Sequence, residues 1–238
     1  MSGRVESRKL HLGCGLITAP GWVNIDASWN AWLAKHPWVR SVLSALRVVP
    51  PSKLDIPWSP DLMIHDVRKP LPFADNFMTA VYASHLLEHL YLDETHRLLG
   101  ECLRVLQPGG VLRVVVPDLQ AIVREYLGEG PFHSSRCGTS GVTSADRMNQ
   151  RLLLRTPQTP SGNLLYRIYA AIKDFHSHKW MYDATSLASH LRSAGFVEVH
   201  EMALHESCIA GIEEVEDPSR VLNGEGFCVE GVKPQDPA

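Results

Sequence analysis

The chain has 238 residues, 45% of them hydrophobic and 21% charged, a length that one doubly wound sheet absorbs without a second core. A formal charge of -3 gives no general pull toward phosphate backbones or anionic membranes, so nucleic-acid binding is not expected. Met1–Lys9 is polar, no apolar run is long enough to span a bilayer, and the five scattered cysteines (Cys14, Cys102, Cys137, Cys208, Cys228) form no Cys-x-x-Cys pair, which together point to a cytoplasmic protein with reduced thiols.

Lys9–Leu12 reads as a first strand that runs into the bend Gly13-Cys14-Gly15, where missing side chains let a ligand approach the backbone. Trp22–Ile25 reads as a second strand ending at Asp26, an acceptor-only group suited to two vicinal hydroxyls, with a turn cap as the plain alternative. Leu16–Gly21 falls short of the dozen or so residues a parallel crossover usually needs, so either the crossover is compressed or the second strand starts later. Residues 28–60 carry Trp29, Trp32, Trp38 and Trp58 around an amphipathic helix ended by Pro50-Pro51, and these aromatics are expected to pack on the domain.

A third strand, Leu62–His65, leads to Asp66 and Val67, and a fourth, Thr79–Ala83, to Ser84. His85-Leu86-Leu87-Glu88-His89 then opens a helix that would set His85 and His89 one turn apart. Asp93 is expected to cap a helix in which Leu98, Leu99, Cys102, Leu103 and Leu106 recur, with Pro108-Gly109-Gly110 as its stop and Val111–Val116 as the fifth strand. Residues 128–175 open Gly/Ser-rich and continue through Arg147, Arg151, Arg155, Arg167 and Lys173 with little acid nearby, which suits a solvated helix face and a substrate lid equally. A helix over Thr185–Ala194, stopped by Gly195, separates the last strands, Val197–Met202 and Gly226–Gly231. This alternation predicts a single α/β domain over 1–238 with a mostly parallel seven-stranded sheet, the insertions 28–60 and 128–175 forming the lid.

The ordered set from His11 through Arg104-Val105-Leu106-Gln107-Pro108-Gly109-Gly110 resembles the nucleotide-binding half of class I S-adenosylmethionine-dependent methyltransferases, particularly the small bacterial type 11 group. The dense match covers the first half; later, only His178-Lys179-Trp180, the helix into Gly195-Phe196 and the strand through Glu230-Gly231 look similar. The resemblance implies a Rossmann-like fold with S-adenosylmethionine as cofactor and S-adenosylhomocysteine as product. By it Gly13, Cys14 and Gly15 would cradle the methionine and ribose parts, Asp26 the ribose diol, Asp66 and Val67 the adenine, with Ser84 beside the methionine part. His11 departs from the pattern, since many members carry an acid there, and any cofactor contact made by that acid is in doubt.

Methyl transfer needs no metal, and none is assigned. It needs an aligned acceptor in a dry pocket, and for an alcohol a base worth roughly a hundred- to ten-thousand-fold. The candidates are His89, His178 and His85, each with hydrogen-bonded packing as its plain alternative. The expected acceptor is a hydroxyl on a sugar, glycan or other small metabolite, and a second copy of the chain could cover the tryptophan-rich insertion.

Three other readings fit parts of the sequence. His85-x-x-Glu88-His89 has the form of an inverted zinc-peptidase signature, but those sites need the motif within a helix and a third protein ligand, whereas here it opens a helix after a parallel strand; His176-Ser177-His178 is a weak metal pair. Tyr169-x-x-x-Lys173 has the spacing of short-chain dehydrogenases, yet Gly13-Cys14-Gly15 lacks the third glycine of a dinucleotide fingerprint, so an NAD(P)-dependent oxidoreductase is the alternative. The departure at His11 would also suit a cofactor-binding partner subunit without turnover.

Overall fold

The computed structural model describes residues 8–45, 58–59, 61–129, 143–154 and 177–235. In chain order the elements are β1 (Lys9–Leu12), β2 (Trp22–Asp26), α1 (Trp29–Ala34), α2 (Pro37–Ala45), β3 (Met63–Ile64), β4 (Met78–Ser84), α3 (Leu92–Val105), β5 (Leu106–Pro117), α4 (Leu119–Tyr126), α5 (Ser144–Leu152), α6 (Ala184–Ser193), β6 (Val197–Met202) and β7 (Gly226–Val232). The strands form one seven-stranded sheet in the order β3-β2-β1-β4-β5-β7-β6. All neighbours from β3 to β5 pair in parallel, while β7 runs antiparallel to both β5 and β6. The expected α/β fold with a mostly parallel sheet is observed.

Alternation along the central strands divides the apolar residues between two faces. Leu10, Leu12, Val81, Ala83, Leu112 and Val114 face a core shared with Leu98, Leu99 and Cys102 of α3 and Leu187 and Leu191 of α6. Ala80, Tyr82, Val111 and Val115 face the other way, onto Trp22 and onto Ile209, Ile212 and Val215 of the segment before β7. A parallel sheet must be covered on both faces, and on this second face the short 3-10 turn that buries Ile212 does part of the covering.

The compressed crossover is the form adopted. β1 pairs with β2 in register Lys9↔Trp22, and residues 13–21 pass between them as turns, tied by Cys14 N–H to the Ile25 carbonyl and Ile17 N–H to the Cys14 carbonyl, both 3.0 Å. Two expected boundaries move. Asp93 lies in the first turn of α3, whose cap position is Tyr91; the Glu94 carboxylate accepts the Tyr91 N–H at 2.9 Å. Pro108-Gly109-Gly110 does not stop that helix either, because the chain passes directly into β5 at Leu106. The proline sits where the β4–β5 register shifts, between Met78 and Ala80, and no ladder hydrogen bond is needed there.

The tryptophans of the first insertion behave unequally. Trp58 packs on Cys14, Ala31 and Leu62, whereas Trp29 and Trp38 are exposed, the latter 69%. Trp29, Trp32 and His36 stack in sequence along α1 into the following turn. Pro50-Pro51 lies outside the described residues.

Candidate active site

The carboxyl ends of β1, β2 and β4 converge on the bend that follows β1. Gly13 and Gly15 take φ of 63° and 55°, left-handed values that side chains resist. A Cβ built on Gly13 would lie 3.1 Å from Leu86 Cδ1, so the bend rests directly against the segment after β4. At Gly15 a Cβ would meet nothing within 4 Å among the described residues, which leave that backbone open to a ligand. Asp26, at the tip of β2, accepts the Gly15 N–H on Oδ2 at 3.0 Å and the Ser28 N–H on Oδ1 at 2.6 Å. A carboxylate offers about four lone-pair sites, so a diol could still be held there. Both readings of Asp26, turn cap and diol acceptor, are thus compatible with one geometry.

The other expected cofactor residues are distributed less simply. Cys14 is buried beside Ala31 and Leu62, and burial pushes its thiol up to about 12, so only its backbone is on offer to a ligand. Asp66 is already engaged: Arg68 donates Nε to Oδ1 at 2.9 Å and Nη2 to Oδ2 at 2.7 Å, and this pairing holds the carboxyl below its usual range. Val67 packs against the main core, and Ser84 closes β4. His11 points away from the core that Leu10 and Leu12 enter; it is 2% exposed, with ring centroids 5.1 Å from Tyr82 and 6.4 Å from Trp22. Burial lowers its pKa to about 4, which makes it a neutral packing residue under the sheet.

The histidines converge, by a route the sequence did not suggest. His85 and His89 do not share a helix: His85 has φ 49°, a 3-10 turn spans Leu87–His89, and α3 begins only at Leu92. Glu88, in the middle of that 3-10 turn, is fully buried. His85 Nδ1 lies 3.3 Å and His89 Nε2 4.0 Å from Glu88 Oε1. From the other side, the segment after the second insertion is clipped to the same turn, Lys179 N–H donating to the Glu88 carbonyl at 2.6 Å and His178 N–H to the Leu153 carbonyl at 2.8 Å. His178 thereby lies with its ring 5.0 Å from that of His89. His85 Nε2 donates to the Arg220 carbonyl at 3.1 Å and His89 Nδ1 to the Ser177 carbonyl at 3.2 Å. Burial moves the His178 pKa below its ordinary value, favouring the neutral ring.

Glu88 is the residue whose part the sequence reading missed. Its sequence signals are its place in His85-x-x-Glu88-His89 and its leucine neighbours Leu86, Leu87 and Leu90, surroundings costly for a charge without a partner. Arg147 and Arg151, expected to stand in little acid, have an acid brought to them by the fold: Arg151 Nη1 meets Glu125 Oε2 of α4 at 2.5 Å, with Arg147 Nε 4.0 Å from Glu125 Oε1. Arg155, Arg167, Tyr169, Lys173 and His176 lie outside the described residues.

Residues 39–114, about a third of the chain, match the family described as methyltransferase domain. That span includes Asp66, Ser84 and the His85–His89 turn but not Gly13–Asp26, which the sheet supplies alongside it. No curated protein matches. Among solved structures, a SAM-dependent methyltransferase from Methanosarcina mazei is similar at 17% identity over 96% of this chain and 92% of that one, with a TM-score of 0.47. The YcgJ protein from Bacillus subtilis is similar at 14% identity over 98% and 94%, TM-score 0.46. A methyltransferase in complex with the Haloferax volcanii activator Trm112 is similar at 17% identity over 95% and 82%, TM-score 0.44. These likenesses are too remote to bear on chemistry.

Proposed function

We propose that this chain, a class I methyltransferase by its matched domain and its sheet, binds S-adenosylmethionine and methylates a hydroxyl on a sugar, glycan or other small metabolite. The observation that carries the reading is the open glycine bend, tied to Asp26 on one side and resting on Leu86, between His85 and His89, on the other. S-adenosylmethionine, held there, supplies an electrophilic methyl group and leaves as S-adenosylhomocysteine. Asp26 would hold the ribose diol with its remaining lone pairs and Gly13–Gly15 would admit the methionine and ribose parts to the backbone. Asp66 and Val67 would border the adenine, Arg68 having to share the carboxylate. Ser84 would border the methionine part.

An alcohol acceptor must lose a proton, and the cluster of His85, His89 and His178 beside the bend is suited to take it. Leu87, Leu90 and the His178–Trp180 segment would limit water around it. Single replacement of each histidine by alanine is expected to leave S-adenosylhomocysteine affinity within about twofold, while the variant lacking the base loses roughly a hundred- to ten-thousand-fold in turnover. Unaltered turnover in all three would refute the histidine role, and preference for amine or thiol acceptors in a labelled-cofactor screen would refute the hydroxyl.

The same reading places the protein in the cytosol, where the free thiols Cys14, Cys102, Cys208 and Cys228 stay reduced, and seats a second copy on the exposed Trp29 and Trp38. Sedimentation of the native chain against a Trp38→Ser variant tests the latter; a native monomer removes it. No helix among the described residues is long and apolar enough to cross a membrane.

A further inference from the structure

We propose that Glu88, His89 and His178 form a binding site for a divalent transition-metal ion of the zinc type. Each side chain offers one ligand atom, and these atoms all lie within 4.8 Å of one another. Tetrahedral bonds of about 2.0–2.2 Å set ligands roughly 3.5 Å apart, so closure around an ion asks for movements on the order of an ångström. Two imidazoles and one carboxylate with a remaining open position suit zinc and its first-row neighbours better than magnesium or calcium, which prefer all-oxygen shells.

The burial of Glu88 is what demands a cation. The side chain is 0% exposed, and among the described residues neither Oε1 nor Oε2 has a hydrogen-bond partner. A carboxylate withdrawn from water costs several kcal/mol unless positive charge compensates it, and the described residues bring neutral-capable imidazoles to this one, His85 Nδ1 to 3.3 Å and His89 Nε2 to 4.0 Å of Oε1. His85 adopts a left-handed backbone conformation at the start of the turn that holds it. Opposite stands His178, 8% exposed, whose Nδ1 is likewise buried and has no hydrogen-bond partner among the described residues. The His89 Nδ1–H is directed to the Ser177 carbonyl, and Nε2 lies on the Glu88 side, 4.0 Å from Oε1. A backbone acceptor that fixes the tautomer of a ligating histidine is the usual outer-shell arrangement. The three ligands come from two segments remote in sequence, joined by the Lys179 N–H to Glu88 carbonyl hydrogen bond, so an ion would also pin the end of the second insertion to the turn after β4.

This inference deepens the methyltransferase reading and rests on it only for the ion's role. With Glu88, His89 and His178 as the residues that would hold it, a bound ion would supply positive charge to an acceptor hydroxyl, and His85 stands outside the ligand set with Nδ1 3.3 Å from Glu88 Oε1.

The test uses the full chain, stripped with a chelator and dialysed, then titrated calorimetrically with zinc alone. One equivalent of tight binding is expected, weakened more than about a hundredfold, beyond the cost of losing an outer-shell partner, in Glu88→Gln and in His178→Ala. His190→Ala, which removes one member of the surface His96–His190 pair, should bind as the native chain does. Should a variant fail to fold, cobalt added to the native chain decides the matter by its visible tetrahedral absorption. No stoichiometric zinc binding, binding unaffected by Glu88→Gln and His178→Ala, or binding lost in His190→Ala would overturn the site. S-adenosylhomocysteine affinity, measured on the same samples, reports on the methyltransferase reading separately.

Discussion

At His11 a polar ring occupies a core position, and its titration is a liability the protein carries. Its folded pKa of about 4 lies below the ordinary 6.5, so between those values the unfolded chain binds more protons. Stability from this group is therefore complete above pH 6.5 and is lost as pH falls toward 4. The shift corresponds to about 3 kcal/mol, most of it spent by pH 4.5. Urea unfolding at pH 7 and pH 4.5 should show a smaller acid loss in His11→Phe than in the native chain, by about 2 kcal/mol; equal losses would mean the ring titrates normally. Asp26 raises a different question, since one carboxylate serves both the bend and the proposed ribose. Asp26→Ala is expected to weaken S-adenosylhomocysteine binding about tenfold to a hundredfold, the range of charge-assisted hydrogen bonds, as read by calorimetry. Neither role could be separated in the sequence, because a turn cap and a diol acceptor call for the same residue at the same place.

The elements are held to one another by polar ties as well as by apolar faces. Arg113, in the middle of β5 and fully buried, donates Nε and Nη2 to the two carboxylate oxygens of Glu216 at 2.8 and 2.9 Å. Its Nη1 reaches Glu230 of β7 at 2.9 Å and the Glu206 carbonyl at 2.8 Å, and Nη2 also reaches the Ala203 carbonyl at 3.0 Å. One side chain thus fastens the centre of the sheet to its antiparallel strand and to the segment covering the second face. Arg113→Met should cost about 3–5 kcal/mol in denaturant unfolding, because two buried carboxylates lose their cation; a cost below about 1 kcal/mol would show that water replaces it. α6 is capped by Asp183, whose carboxylate accepts the Ser186 N–H at 2.7 Å, and Asp183→Ala should cost about 1 kcal/mol by the same measurement. The cap at Asp183 follows a simple sequence rule. The Arg113 network does not, since its carboxylates lie about a hundred residues away along the chain.

For the molecule as a whole, ligand linkage separates the cofactor classes. S-adenosylhomocysteine at a hundred times its dissociation constant should stabilise the fold by about 2.7 kcal/mol, read as a rise in melting temperature, while NADH should leave it unmoved; the reverse would favour the oxidoreductase reading. The sheet was legible before any coordinates: seven apolar runs with turn residues between them can be buried in few ways, and the strands from Lys9 to Val232 fall within a few residues of where their patterns put them. The glycine bend was legible for the same local reason, that only glycine accepts its backbone angles freely. What only the tertiary structure decided is which remote groups meet. His178 meets His89 where its segment hydrogen-bonds to Glu88, Glu88 is buried in the turn that ends at His89, and Arg151 finds its acid on another helix. Local pattern fixes which face a side chain takes, whereas contacts between segments far apart in sequence depend on the closure of the whole chain, to which a single window of residues carries no signal.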